Sequence, residues 1–430
     1  MEYLEFLNLS GTAVKELPPS IRNLVALRKL DLECCDNLES LPELPPSLKA
    51  INLRYCSNFQ NFPEISEVME YLEFLNLSGT AVKELPPSIR NLVALRKLDL
   101  KRCENLEVVP DELFCLTSLQ ELFLRGTKIK SIPASIKQQA AQLSRLFLTN
   151  CKSLESLPEL PPLLQHLEVK GCTSLKTVSS SSTALAQGWE KYKFSRGLHK
   201  KHIFLECPEL DENARSNIMA DAQLRIMRMA TASSKFKEDK IEEPSYDSDD
   251  SYDDESYDSY DSYDDEESLH KRSFVGIRCC GNEIPNWFSH KSEGCSIKIE
   301  LPRDWFSTDF LGFALSLVVV GASSRLGIGC KYNFKTSNGE SHEVNHPWCS
   351  PLMTGSRGDS PEVFVWWYSG FFEEVVEGAQ SPTAFYKLVT EVNVDFIVWN
   401  LSYEPLLEAE KCGICLLYGK DAEMIKQRAL

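Results

Sequence analysis

His342-Glu-Val-Asn-His346 and Cys412-Gly-Ile-Cys415 are the stretches whose residue types and spacing match known chemistry. In a zinc peptidase the two histidines of H-E-x-x-H lie one turn apart on a helix and ligate the metal, while the glutamate serves as base. Here Asn338-Gly339 precedes the stretch and Pro347 follows at once, so no helix long enough for that geometry fits. C-x-x-C serves zinc or dithiol chemistry when its thiols converge. In a strand, Cys412 and Cys415 project to opposite faces, and no second cysteine pair lies nearby. Arg357-Gly-Asp359 is a three-letter coincidence. No Ser/His/Asp arrangement and no glycine-rich cofactor loop is present, so we expect neither catalysis nor a metal nor a cofactor, and look instead for a binding surface.

The elements that would carry such a surface are set by repetition. Met1–Leu32 and Met69–Leu100 are the same 32 letters, displaced by 68 residues. Inside the copy a finer pattern, L-x-x-L-x-L, starts at Leu4, Leu27, Leu48, Leu72, Leu95, Leu119, Leu143 and Leu164, at spacings of 21 to 24 residues. Such a period belongs to leucine-rich repeats, in which each unit supplies a short strand and an irregular return and buries its leucines only against its neighbours. Thr12, Cys35, Cys56, Thr80, Cys103, Thr127, Cys151 and Cys172 form a column just after each strand. Small polar or thiol side chains there can satisfy buried backbone. An apolar-Pro step follows in all but the last unit, from Leu17-Pro18 to Leu157-Pro158, and holds the return path extended.

The formal charge of the 430 residues is −17, but twelve acids lie in Ser245–Ser268, which holds only Ser, Tyr, Asp and Glu. The rest carries −17 + 12 = −5, which gives no reason to expect nucleic-acid or membrane binding. The fifteen cysteines are an odd number, and five stand in the repeat column, a usage that fits reduced thiols inside a cell. The first residues lack the basic and apolar regions of a signal peptide, and Phe310–Ala322 is too short an apolar run to span a bilayer. The expected order is an α/β leucine-rich-repeat solenoid of about eight units over 1–178, then a connector over 179–233 with a helix at 210–232 (capped by Asp211). An acidic disordered linker follows over 234–272, and an all-β sandwich over 273–430. Strands are expected at Phe274–Cys279, Ser296–Leu301, Phe313–Val320, Gly329–Phe334, Val363–Tyr368, Ala384–Thr390, Asp395–Leu401 and Ile414–Tyr418.

Alternation along each repeat strand tells which residues face outward on the concave side. Units five to eight expose Lys97, Asp99 and Lys101; Glu121, Phe123 and Arg125; Arg145, Phe147 and Thr149; and His166, Glu168 and Lys170. Phe123 falls beside Phe147 among basic residues. Aromatic and arginine side chains gathered on an open face are the usual anchors of a protein interface. The candidate partner-binding residues are therefore Lys97, Lys101, Phe123, Arg125, Arg145, Phe147, His166 and Lys170. The tethered acidic run could also occupy this groove electrostatically.

Two stretches carry a family resemblance. Phe204-Leu-Glu-Cys-Pro-Glu-Leu-Asp-Glu-Asn-Ala-Arg215 is similar to the segment that follows the repeats in plant TIR-type nucleotide-binding leucine-rich-repeat disease resistance proteins. Gly281-Asn-Glu-Ile-Pro-Asn-Trp-Phe-Ser-His-Lys-Ser-Glu-Gly294, with Ser296-Ile-Lys-Ile-Glu-Leu-Pro302 after it, resembles the opening of their C-terminal jelly-roll/Ig-like domain, and Lys411-Cys-Gly413 its last strand. The resemblance implies that repeats and jelly-roll domain together recognise a pathogen effector and release a nucleotide-binding module, with NAD cleavage by a TIR domain. It also implies a cytoplasmic or nuclear location. The 430 residues hold no GxxxxGK[ST] loop and no TIR sequence, so the expectation is a non-enzymatic recognition part: a fragment, a truncated gene product or a relic. The alternative is a truncated adaptor or decoy acting without those domains.

Overall fold

The structure, a computed structural model, describes residues 3–187, 189, 198–238, 273–320, 327–346, 360–369, 382–399 and 409–430. The acidic run 245–268 and Arg357–Asp359 lie outside the described residues.

Parallel strands β1 (Phe6–Asn8), β2 (Lys29–Asp31), β3 (Ala50–Asn52), β4 (Phe74–Asn76), β5 (Lys97–Asp99), β6 (Glu121–Phe123), β7 (Arg145–Phe147) and, beyond a short β8 (Ser156–Leu157), β9 (His166–Lys170) build one curved sheet. Their registers align unit on unit: Phe74, Lys97, Glu121, Arg145 and His166 form one row, and Asn76, Asp99, Phe123, Phe147 and Glu168 the next. The inward leucines, such as Leu98, Leu122, Leu146 and Leu167, are fully buried against one another. The return paths hold only short turns of 3-10 helix, as at Pro87–Asn91, and one helical turn, α1 (Ile136–Gln139). β8 pairs with β10 (Thr177–Val178) on that side.

The column after each strand works as its chemistry requires. Cys56, Cys103 and Cys151 donate from Sγ to the carbonyls of Leu32, Leu77 and Leu124 in the preceding unit, at 3.0, 3.0 and 3.1 Å. Thr80 and Thr127 instead donate to carbonyls of their own unit, at 2.7 and 2.8 Å. The residue just before the column takes the left-handed conformation in every unit, whether it is Gly79 (φ 72°) or Tyr55 (φ 59°).

After a short helix α2 (Ser182–Ala186), strand β11 (His199–Leu205) joins the same sheet, parallel to β9. Glu206 then turns left-handed (φ 52°), and Cys207 Sγ donates to the carbonyl of Leu205 at 3.2 Å. This is a ninth repeat turn inside the stretch read from sequence as a connector. The period had hidden it: Cys207 follows Cys172 by 35 residues, where other column spacings are 21 to 24. Helix α3 (Glu212–Glu238) follows, with Asp211 accepting from the Ala214 amide at 2.6 Å as N-cap. Its Ala222, Ile226 and Met229 are buried. The helix extends past the expected end at 232 and takes in residues 234–238, which the composition had assigned to the linker.

The sheet does not stop there. β12 (Phe274–Cys280) pairs parallel with β11, and the antiparallel strands β18 (Glu362–Tyr368), β15 (Phe310–Val319), β20 (Ala409–Tyr418) and β13 (His290–Glu293) continue it. A second sheet, in the order β14 (Ser296–Glu300), β19 (Val389–Trp399), β16 (Gly327–Thr336), β17 (Ser341–His346), packs over it around the buried Trp305, whose Nε1 donates to the Val389 carbonyl at 3.0 Å. Ile203 and Leu205 of β11 belong to this second core, so the C-terminal unit is partly built from the last repeat strand. Helix α5 (Gly419–Ala429) closes against α2 and α3.

The residue pattern suggests two strands at Ala384–Thr390 and Asp395–Leu401. The structure has a helical turn, α4 (Pro382–Tyr386), and then the single long β19. Phe385 and Tyr386 are adjacent and both enter the core, which a helical turn permits and an alternating strand does not.

Candidate protein-interaction surface

The concave face of units five to eight is a grid whose rows are fixed by the strand registers. On it the Phe123 and Phe147 rings stack with centroids 4.6 Å apart and planes 2° from parallel. His166 continues the ladder, 4.8 Å from Phe147 and tilted by 34°. Lys101 Nζ stands 4.5 Å from the Phe123 centroid and Lys97 Nζ 5.6 Å from it, with Lys97 also 5.4 Å from Phe74. The sequence-derived residues Lys97, Lys101, Phe123, Phe147 and His166 thus form one cluster.

Arg125, Arg145 and Lys170 flank it, each beside an acid. Arg145 meets Glu121 at 3.0 Å, Arg125 meets Glu168 at 3.6 Å and Lys170 meets Glu206 at 3.7 Å; Lys101 also reaches Asp99 at 3.3 Å. The arginine side chains are about half exposed, at 50% and 54%, so these pairs contribute little stability and the cations remain available to a partner. Glu168 is different: it is buried and accepts from Thr149 Oγ1 at 2.7 Å, which fixes its carboxylate.

Burial pushes His166 down to about 4, and the neighbouring Lys201 and Arg145 cations push the same way. The ring is therefore neutral at neutral pH, which suits its place in an aromatic ladder. Lys201, opposite His166 in the register, extends the first row and was missed from sequence because β11 lies outside the repeat period. The positions beyond Glu168 and Lys170 are Ile203 and Leu205, which lie beneath the second sheet. The open face thus ends at the C-terminal β unit.

The other motifs resolve into structure. His342 lies in β17 edge-on to Phe385, with centroids 5.4 Å apart, while Glu343 pairs with Lys331 Nζ at 2.8 Å. A strand places His342 and Glu343 on opposite faces. Cys412 is buried between the two sheets, its thiol pushed up to about 12 by burial, whereas Cys415 packs on the far side of β20. Among the described residues no group of three or more His, Cys, Asp or Glu is placed to hold a metal ion, and no helix is long and apolar enough to cross a membrane.

Residues 279–423 match the family model of the C-JID domain. Over 97% of its length the chain is 30% identical to the disease resistance-like protein DSC1 of Arabidopsis thaliana, covering 34% of that protein. It is 28% identical to the disease resistance protein RPS4 of the same plant over 98% of its length, covering 30% of it. The chain corresponds to the repeat and C-JID part of the plant TIR-type nucleotide-binding leucine-rich-repeat disease resistance proteins. It spans about a third of the length of these relatives. Among solved structures, the leucine-rich repeat domain of the type III effector XCV3220 (XopL) is 26% identical, with a TM-score of 0.37 over 42% of this chain and 64% of that one. In this family setting, the joint between the solenoid and the C-JID domain is a shared sheet rather than a linker. Arg278 at that joint is fully buried, donating from Nε to Glu362 at 2.8 Å.

Proposed function

We propose that the chain is the non-enzymatic recognition module of a plant intracellular immune receptor, acting in the cytoplasm or nucleus. It binds a pathogen effector through the concave repeat face and the adjoining C-JID domain, whose two β layers we read as a jelly-roll/Ig-like fold. The observation that carries this reading is the stacked Phe123–Phe147–His166 platform with Lys97 and Lys101 over it, on an open face that runs up to the C-JID domain. Flat aromatic area, and the half-exposed guanidiniums of Arg125 and Arg145 beside it, can be desolvated by a partner at small cost, as interface anchors require. Arg125, Arg145 and Lys170 supply the rim. Occupancy of the groove would signal to the TIR and nucleotide-binding domains of a receptor.

The test is co-precipitation of the whole chain with a panel of pathogen effectors. A captured effector should be lost when Phe123→Ala and Arg125→Ala are combined. Capture that survives this pair but is lost on changing convex-side residues such as Arg22 would overturn the reading.

A further inference from the structure

Charge is unevenly spread along the concave face. Over the outward rows of units five to eight, with Lys201 alongside, Lys97, Lys101, Arg125, Arg145, Lys170 and Lys201 stand against Asp99, Glu121 and Glu168, six cations against three acids. The same rows of units one to four balance, with Lys29 and Arg54 against Asp31 and Glu33, and their Phe6 and Phe74 stand three strands apart. Surplus cations and stacked rings therefore coincide on one half of the face. The chain itself contains their complement. Ser-Tyr-Asp occurs five times within Ser245–Ser268, at Ser245, Ser251, Ser256, Ser259 and Ser262, so every tyrosine there is followed by a carboxylate, and the run holds twelve acids and no base. The two lie within reach of each other. Gly276 shares a register row with Lys201, His166 and Arg145. Ser273 precedes Gly276 by three residues, so the chain enters the sheet beside the platform. Phe147 is three strands across and five residues along from Ser273 in these registers, about 14 Å by about 17 Å, or roughly 22 Å in all. Tyr263 is ten residues before Ser273, a length of chain that spans up to about 33 Å.

We propose that the Ser-Tyr-Asp run is an intramolecular ligand of the concave face of units five to eight. Its tyrosine rings stack on Phe123 and Phe147, and its carboxylates pair with Lys97, Lys101, Arg125 and Arg145. A segment within reach on the same chain works at an effective concentration on the order of millimolar. An intrinsic Kd of about 0.1 mM then keeps about nine-tenths of the faces occupied. Any partner for this face must displace the run, and the contact stands whether or not an effector uses the same face. Because the pairs are exposed, salt weakens them: the screening length falls from about 10 Å at about 0.1 M to about 3 Å at about 1 M.

The experiment uses the whole chain. Carbodiimide joins a carboxylate to a lysine amine in direct contact, and mass spectrometry of peptides reads the joints. Coupling from the acids of 245–268 should concentrate on Lys97 and Lys101 over the exposed Lys29, Lys83 and Lys298, and should fall at least about fivefold between about 0.1 M and about 1 M salt. Joints spread evenly over these lysines, or indifferent to salt, overturn the proposal. A second chain carries a Gly/Ser run of equal length in place of Ser245–Ser268. A fluorescein-labelled peptide of residues 245–268 should bind that chain at least about fivefold more tightly than the native one, by anisotropy, since nothing on the chain competes. Phe123→Ala with Lys101→Ala should abolish the gain. A peptide with its five tyrosines changed to serine keeps every charge and should bind about fivefold more weakly. Equal binding by the native and replaced chains, or by the two peptides, overturns the proposal.

Discussion

The ring of His166 lies 4.8 Å from that of Phe147, between the cations of Arg145 and Lys201 in the register of the sheet. Its proton affinity is lowered by burial and by those two cations. The unfolded chain therefore binds this proton more readily than the folded one. The associated stability is fully present above the unfolded value of about 6.5 and is lost as pH falls from there towards about 4. Between pH of about 7 and about 5 the loss from this residue should be about 2 kcal/mol. His166→Phe keeps a flat ring and removes the titration. Urea midpoints of the two proteins at both pH values are the check. Equal pH dependence in both would mean that His166 is not held neutral by its surroundings.

Leu7 and Leu75 stand in identical 32-residue stretches, yet among the described residues β1 is paired on one side and β4 on both. Leu75 is fully buried, while Leu7 is half-buried. Leu75→Ala should cost about 2–5 kcal/mol and Leu7→Ala less than half as much, because a hole at the edge is open to water and collapses readily. Denaturant unfolding of the two variants decides the matter, and equal losses would refute the stacking account.

The same duplication isolates backbone strain from crowding. Gly11 and Gly79 are copies, both left-handed, at φ 68° and 72°. A Cβ on Gly11 meets nothing within 4 Å, but one on Gly79 would lie 2.4 Å from the Tyr55 ring. Gly11→Ala should cost about 1–2 kcal/mol, the left-handed penalty alone. Gly79→Ala should cost more, and adding Tyr55→Ser should return it towards the Gly11 value. If Tyr55→Ser brings no relief, the ring is not what excludes a side chain there.

Much of this was legible in the sequence. The unit period and two-residue alternation place Phe123 against Phe147 without coordinates, because consecutive strands align in register. The Cys/Thr column is likewise readable, since its position after L-x-L leaves it one role. The ninth turn at Glu206-Cys207 was not readable by period, because α2 and the residues before β11 stretch the spacing; the apolar-x-x-Cys echo in Phe204-Leu205-Glu206-Cys207 was the available signal. With it went Lys201, the cation that completes the first row. The pairing of the C-JID strands was out of reach for a different reason. β12 meets β18 and β15 meets β20 across about a hundred residues of chain, and local alternation carries no information about such partners.

The central claim is that the concave platform of units five to eight receives the partner. The direct measurement is the affinity of a captured effector, by calorimetry, for the chain and for Phe147→Ala and Phe6→Ala variants shown to be folded. The account predicts that Phe147→Ala weakens binding by more than about 1 kcal/mol while Phe6→Ala leaves it unchanged. An effector whose affinity falls with Phe6→Ala and not with Phe147→Ala would contradict it.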